Sequence, residues 1–173
     1  MLKKLDKIDW KSLTHAYGTA TDVPCQLRSL LSDDPHLRGE AISDLFSNIY
    51  HQGSLYPATR AAVPFLYELL LSDEVEDREQ IADLIASIAL QACYEKRAKP
   101  IRAACSKHLP SLVPYLKEKV PDIRSNVAEA LSEYPEHTAS VLPALKAAAK
   151  SEKNKLLREA LKECVERLLN KGS

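Results

Sequence analysis

The chain has 173 residues, of which 45% are hydrophobic, and a formal net charge of zero. This length suits a single domain with a continuous core, and only four glycines beside ten prolines favour an all-α protein. The start of the chain lacks the apolar region of a signal peptide, and the most apolar stretch, 81–93, is too short to span a bilayer. Four scattered cysteines without a Cys-x-x-Cys pair indicate reduced thiols. We therefore expect a cytoplasmic protein with no membrane partner.

Residues 1–21 are expected to form an N-terminal cap. Their apolar side chains give a short amphipathic stretch of Leu5, Ile8, Trp10 and Leu13. A turn is predicted at 15–18, where Gly18 follows Tyr17. Asp22 is predicted to be the N-cap residue of the first repeat, because Pro24 tolerates the first turn of a helix.

A short motif then recurs along the chain. A Val-Pro or Leu-Pro pair enters a Leu-rich stretch four times, with the prolines at Pro24, Pro64, Pro114 and Pro143. A second apolar segment opens each time with an arginine: Arg38, Arg78, Arg124 and Arg158. The proline spacings of 40, 50 and 29 residues (64−24, 114−64, 143−114) scatter around the period of stacked helical hairpins. We predict a right-handed α-α superhelix, an α-solenoid of about four helical hairpins with an N-terminal cap.

The repeat boundaries are predicted from these signals. Repeats are placed at 22–53, 57–97, 110–135 and 138–169, all in one domain over 1–173. The long middle spacing indicates an insert or an extra helix at 98–109. Pro57 is predicted to begin a helix, Thr138 to be an N-cap residue, and Gly172 to be a stop signal after the last helix.

This recurring order of a proline pair, a Leu-rich stretch and an arginine resembles HEAT repeats over about residues 22–169. In HEAT repeats a bent first helix is followed by an Asp and then by an Arg or Lys in the second helix. Asp73 and Arg78 follow Pro64 by nine and fourteen residues, close to that pattern. The resemblance implies a HEAT-like fold.

A second resemblance depends on longer strings. The segments His15–Ala20, Asp22–Pro24, His51–Gly53, Tyr56–Thr59 and Ala62–Leu66 are similar to those of a family of bacterial HEAT-like proteins. That family has no established biochemical activity. Some of its relatives are encoded beside secreted toxins, so the resemblance implies an immunity role as one expectation.

The charges are unevenly distributed. Residues 1–86 carry eight Lys/Arg and fourteen Asp/Glu (8−14 = −6), and residues 87–173 carry sixteen and ten (16−10 = +6). Sequence order is spatial order in a solenoid, so one end should be acidic, although solvated helix faces that merely differ explain the same pattern. The second helices of HEAT-like repeats usually line the inner surface. Their polar positions predict an acidic-to-neutral inner face suited to a basic partner: Glu40, Asp44, Glu79, Gln80, Asp83, Ser87, Ser125, Asn126 and Glu129.

Polar and aromatic residues also cluster at the loops before and after repeat one. The predicted members of this polar-aromatic edge are His15, Tyr17, Tyr50, His51, Gln52 and Tyr56. The turn before the first helix and the turn after the second should lie on the same edge of a stack, so we predict that the two loops are neighbours around a shallow pocket. They are either a partner-binding site or a structural lock in which His51 and Gln52 bond the last carbonyls of a helix and Gly53 is its C′ residue. The structural interpretation is favoured.

No catalytic residue, cofactor or metal is predicted. The chain has no G-x-S-x-G elbow, P-loop or H-E-x-x-H motif, and Cys105 with His108 offers only two of the four ligands of a structural zinc site.

The leading functional expectation is a non-enzymatic protein-binding solenoid, specifically an immunity protein that neutralises a basic toxin domain. The alternative is a nucleic-acid-binding protein of the HEAT-like DNA glycosylase type, with a small-ligand or metabolic enzyme third. Such glycosylases hold DNA with a basic concave face and aromatic side chains. The acidic first half and a single tryptophan, Trp10, count against that alternative, and the basic run at 96–107 is the segment that could contact phosphate.

Overall fold

The computed structural model describes residues 1–171, which are mostly helical; the stop signal predicted at Gly172 lies outside the described residues. The α-helices are α1 (Val23–Ser29), α2 (Pro35–Asn48), α3 (Pro57–Leu70), α4 (Arg78–Tyr94), α5 (Lys99–Ser106), α6 (Pro121–Ser132), α7 (Thr138–Ser151) and α8 (Lys155–Lys171). Short 3₁₀ helices cover Leu5–Lys7, Trp10–Ser12, Lys96–Ala98 and Pro135–His137, and a longer one covers Leu109–Lys117. Within residues 1–171, no helix is both long enough and apolar enough to cross a bilayer.

The all-α prediction misses two small β-hairpins. Strand β1 (Thr14–His15) pairs antiparallel with β2 (Gly18–Thr19), and β3 (Tyr50–His51) pairs antiparallel with β4 (Ser54–Leu55). Gln52 and Gly53 connect β3 to β4 with φ angles of 48° and 79°, which is the turn type that closes two-residue hairpins. Gly53 is therefore a hairpin-turn residue and not the helix C′ residue that the sequence indicated.

Prolines lie in the first turns of several helices, as predicted for Pro24 and Pro57. Pro57 opens α3, and Pro24, Pro35, Pro100 and Pro121 lie in the first turns of α1, α2, α5 and α6, where a missing N–H has no intrahelical partner to lose.

Thr138, by contrast, is not an N-cap residue. It lies inside the first turn of α7, and its hydroxyl donates to the Pro135 carbonyl.

Packing partners follow the order of the chain. Helix α1 packs on α2, α3 on α4, the Leu109–Lys117 helix on α6, and α7 on α8. Helix α4 also packs on α6, and α6 on α8, while α5 lies against α3 and α4 in the predicted insert. The Leu109–Lys117 segment is 3₁₀ and not the α-helix expected at the start of repeat three, and Pro114 within it lacks a backbone N–H. The buried apolar side chains form one cluster from Leu2 to Leu168.

The recurrent arginine has a defined role at the turn between α1 and α2. Arg38 Nη1 donates to the carbonyls of Ser32 and Asp33 at 2.9 and 3.2 Å, and its Nε donates to Asp77 Oδ2 at 2.6 Å. Asp77 precedes α4, so this one side chain closes its own turn and ties it to the next helical hairpin.

The same arrangement recurs further along the chain. Arg124 Nη1 donates to the carbonyls of Glu118 and Lys119 at 2.6 and 3.0 Å, again six and five residues earlier, and its Nε donates to Glu152 Oε2 at 3.0 Å. Arg158 Nη1 likewise donates to a carbonyl six residues earlier, that of Glu152, at 3.2 Å. The backbone amide of residue 154, followed by the Arg124 guanidinium, lowers the pKa of Glu152.

We predict that Arg124→Ala lowers the free energy of unfolding by about 2–3 kcal/mol, because it leaves two turn carbonyls without their donor and removes the guanidinium from a half-buried carboxylate. Arg78→Ala is the matched control, since the ion-pair partner of Arg78 among residues 1–171 is Asp73, whose side chain is 99% exposed. That change should cost less than about 1 kcal/mol. Urea denaturation followed by circular dichroism measures both values. Equal losses for the two variants would contradict the role assigned to Arg124.

Candidate functional site

The two hairpins meet at one edge of the molecule. The Ala16 N–H donates to the carbonyl of Asn48 at 3.0 Å, which fixes the β1–β2 turn against the end of α2. The Tyr17 hydroxyl lies 3.3 Å from His51 Nδ1, and the two rings meet edge-on with centroids 5.3 Å apart. The predicted proximity of the loops before and after repeat one is therefore confirmed.

His15 is part of the scaffold beneath this edge. It is 7% exposed; its Nε2 bonds Asp22 Oδ1 at 2.8 Å, and its Nδ1 accepts the Tyr17 N–H at 3.0 Å. The other carboxylate oxygen of Asp22 accepts from Gln26 Nε2 at 3.1 Å and from Asn48 Nδ2 at 2.9 Å. Asp22 thus joins the first hairpin, α1 and α2, and does not bond the backbone of α1 as the predicted N-cap would. Both ring nitrogens of His15 are engaged, so this histidine has no free nitrogen with which to act as a base.

His51 and Gln52 do not bond the last carbonyls of a helix, as the structural interpretation had supposed. They belong to β3 and its turn. The buried hydroxyl of Thr59 takes that role: it donates to the Ile49 carbonyl at 2.5 Å and accepts the Tyr56 N–H at 2.8 Å. The ring of His51 is left half-buried beside an exposed tyrosine, which makes it available to a partner.

We predict that His15→Ala lowers the free energy of unfolding by about 2 kcal/mol, because it removes two bonds at a buried site and leaves Asp22 without one donor. His51→Ala, with a single exposed contact, should cost less than about 0.5 kcal/mol. Thermal and urea unfolding of both variants provide the comparison. A larger loss for His51→Ala would show that the edge is a structural lock and not an available surface.

Of the predicted acidic residues, Glu40 and Asp44 are the two that are exposed to solvent. They lie one turn apart on the exposed face of α2, bordering a shallow pocket with His36, whose Nδ1 is 3.5 Å from Glu40 Oε1. Their carboxylates therefore point to solvent along the helix that ends at the hairpin edge.

Asp83 has a different role from the one predicted. Its Oδ1 accepts from Asn126 Nδ2 at 2.7 Å, and Ser87 Oγ lies 2.8 Å from the same nitrogen, so the group joins α4 to α6. Burial, followed by the charge of Asp83, raises the pKa of the half-buried Tyr50. Glu79, one turn earlier on α4, is half-buried. Fewer of the predicted acidic residues are therefore exposed than the sequence indicated: Glu40 and Asp44 are exposed, and Glu79 and Asp83 are half-buried.

A cleft of about 800 Å³ was not predicted from the sequence. It lies between the N-terminal segment, the start of α3 and the start of α5, and Tyr56 lines it together with Arg60 and Arg97. Its remaining walls are largely apolar: Ile8, Leu13, Leu55, Pro57, Ala61, Ala98, Pro100 and Ile101, with Glu95 as the acidic member. Because these residues come from distant parts of the chain, no local motif marks the cleft.

A serine and a histidine also meet between α5 and the start of α7. Ser106 Oγ lies 3.1 Å from His137 Nε2 and donates to Glu136 Oε1 at 2.9 Å. His137 Nε2 is also 2.8 Å from the Ser106 carbonyl, which can only accept, so this nitrogen carries a proton. A protonated nitrogen cannot receive the hydroxyl proton, so the pair lacks the arrangement of a nucleophile and its base.

Cys105 and His108 do not form a shared metal site. Burial raises the pKa of the Cys105 thiol to about 12, and the His108 ring packs against Tyr67 with ring centroids 5.5 Å apart. Across residues 1–171, no group of three or more His, Cys, Asp or Glu side chains could hold a metal ion.

Two of the groups considered for nucleic acid, Trp10 and Arg102, are engaged elsewhere. Trp10 is 5% exposed, its Nε1 donates to the Leu5 carbonyl at 2.9 Å, and its ring lies near that of Phe65. Arg102, in the basic run, makes a bidentate pair with Glu136 at 2.9 and 3.0 Å. Trp10 is therefore not available to stack on a base.

A scan of the chain against protein-family models found no match, and a search of curated proteins found no match either. Function is therefore inferred from the geometry of the surfaces described above.

Proposed function

We propose that this chain is a HEAT-like, right-handed α-solenoid that binds another protein and has no catalytic activity of its own. Two observations support the architecture. Arg38 and Arg124 make the same contacts at two different turns, as equivalent residues of a repeat would. Helices α4, α6 and α8, the second helices of successive hairpins, pack on one another in order, as they do in a stack.

The exposed ring of Tyr17 is the observation that carries the binding function. It is 67% exposed, yet it is held against His51 at the meeting point of two hairpins that backbone hydrogen bonds fix in place. A large aromatic side chain that is already held in place loses little conformational entropy on binding. It therefore contributes strongly to the binding free energy when a partner buries it.

The charges beside this edge favour a basic partner. Asn48, the last residue of α2, contacts the first hairpin, so the exposed face of α2 with Glu40 and Asp44 leads directly to Tyr17 and His51. Acidic side chains next to an aromatic anchor would steer a cationic protein and fix its orientation. A cationic toxin domain, neutralised by occupation of its surface, is the specific partner that we propose, in line with the immunity role that the sequence resemblance implies.

Affinity purification with charge-matched variants tests this proposal. Tagged wild-type chain, Tyr17→Ala and the double variant Glu40→Lys/Asp44→Lys are each incubated with lysate of the source cells, and the captured proteins are quantified. We expect a basic protein whose recovery falls about tenfold or more with either variant, because one change removes the anchor and the other reverses the steering charge. Lys146→Glu, on exposed α7, is the charge-changing control and should not alter recovery.

Unchanged recovery with both variants would contradict the proposed surface. Capture of nucleic acid in place of a protein, lost as salt is raised, would favour the glycosylase-like alternative. If a basic protein is captured, producing it in one cell together with the wild-type chain should suppress its toxicity. Producing it together with the Tyr17→Ala variant should leave it toxic.

A further inference from the structure

A groove runs along one side of α3. It consists of the 800 Å³ cleft described above and an adjoining cavity of about 730 Å³, and Ile8 and Ala61 line both. The N-terminal segment forms one wall of this α3 groove. The start of α5 forms a wall of the larger cleft.

The floor of the α3 groove is apolar and has small side chains. Pro57, Ala61 and Pro64 follow one another at i, i+4 and i+7 along α3, and all three keep some exposure to solvent. Seven residues of helix span about 10 Å, which is close to two helical turns. A second helix laid along this floor could therefore place two or three apolar side chains in it at the same spacing.

The rim of the α3 groove is basic. Arg60 and Arg97 line the larger cleft, and Lys3 and Lys4 line the smaller cavity. Among residues 1–171, neither arginine has an ion-pair partner, in contrast to Arg38, Arg102 and Arg124.

The acidic residues of the groove only partly offset this charge. Glu95 lines the larger cleft and Glu68 the smaller cavity, where Glu68 Oε1 already accepts the Leu2 N–H at 2.7 Å. Four cationic side chains therefore face two carboxylates.

We propose that the α3 groove binds an acidic amphipathic helix of a partner protein. An apolar stripe at i, i+4 and i+7 would cover Pro57, Ala61 and Pro64, and carboxylates flanking that stripe would pair with Arg60 and Arg97. This partner must be acidic, whereas the partner proposed for the polar-aromatic edge around Tyr17 and His51 is basic. The groove is thus a second interaction surface, independent of the proposed function.

Selection of displayed peptides tests the proposal without a known partner. A library of random 16-residue peptides is panned on the full-length chain, and selected peptides are measured by fluorescence anisotropy. We expect enriched sequences with net negative charge and apolar residues at helical spacing. Their affinity should fall about tenfold or more for Arg60→Glu/Arg97→Glu, because both pairing charges become repulsive, and should weaken as salt is raised.

A second variant separates shape from charge. Ala61→Phe places a bulky ring where the two cavities meet and should also weaken binding about tenfold, with no change of charge. Lys146→Glu is again the control and should bind as the wild type does. Thermal unfolding of each variant verifies that it is folded.

Several results would overturn the proposal. These are the absence of any enriched peptide, enrichment of basic or non-periodic sequences, or equal affinity for wild type and both groove variants. Self-association of the chain that Ala61→Phe abolishes, seen by light scattering, would make a second copy the occupant in place of an acidic helix.

Discussion

The guanidinium at the turn of a helical hairpin is the interaction on which this architecture depends most. Helix ends leave carbonyl groups without partners, and a chain that reverses direction at every hairpin multiplies such ends. Arg38 and Arg124 each satisfy two of these carbonyls and then reach a carboxylate at the next turn, Asp77 or Glu152. Local turn geometry and the attachment of one hairpin to the next are therefore stabilised by the same side chain. This dual role belongs to two of the four recurrent arginines, whereas Arg158 bonds a carbonyl of its own turn and Arg78 bonds Asp73.

The scheme is not repeated at the turn before α4, and buried tyrosines connect the helices around α5. Arg78 Nη1 donates to Asp73 Oδ1 within its own turn. Across this region the Tyr67 hydroxyl donates to the Cys105 carbonyl at 2.9 Å, and the Tyr134 hydroxyl donates to the Ala89 carbonyl at 2.8 Å. Burial raises the pKa of both phenols, so they remain donors at any physiological pH. Phenols tie α5 and the end of α6 to the helices beside them without placing a charge in the core.

The features predictable from the sequence are those set by neighbouring residues. Helix starts at Pro24 and Pro57, and the apolar stripes behind them, depend on local backbone chemistry and helical period. The two hairpins escaped prediction because strands of two residues show no alternation. The proximity of Tyr17 and His51 followed from the expected stacking of repeats, and it was found.

The features that could not be predicted depend on residues far apart in the chain. The helical period of the sequence places Asp83 off the apolar stripe of α4, on a face expected to be solvated. Only the packing of α6 on α4 brings Asn126 to the Asp83 carboxylate. The groove along α3 has walls from the N-terminal segment and from α5, so it exists only after three distant segments have packed.

The network around Asp22 has a further consequence for the N-terminal segment. That segment is attached to the helices through the buried side chains of Leu2, Leu5 and Trp10, and through one carboxylate that holds His15, Gln26 and Asn48 together. Opening of this segment would remove the Ile8 wall of the groove. Occupancy of the groove and closure of the N-terminal segment are then thermodynamically linked. A ligand that fills the groove would protect the backbone amides of the segment from hydrogen exchange. A change that loosens the segment would weaken the binding of that ligand by the same free energy.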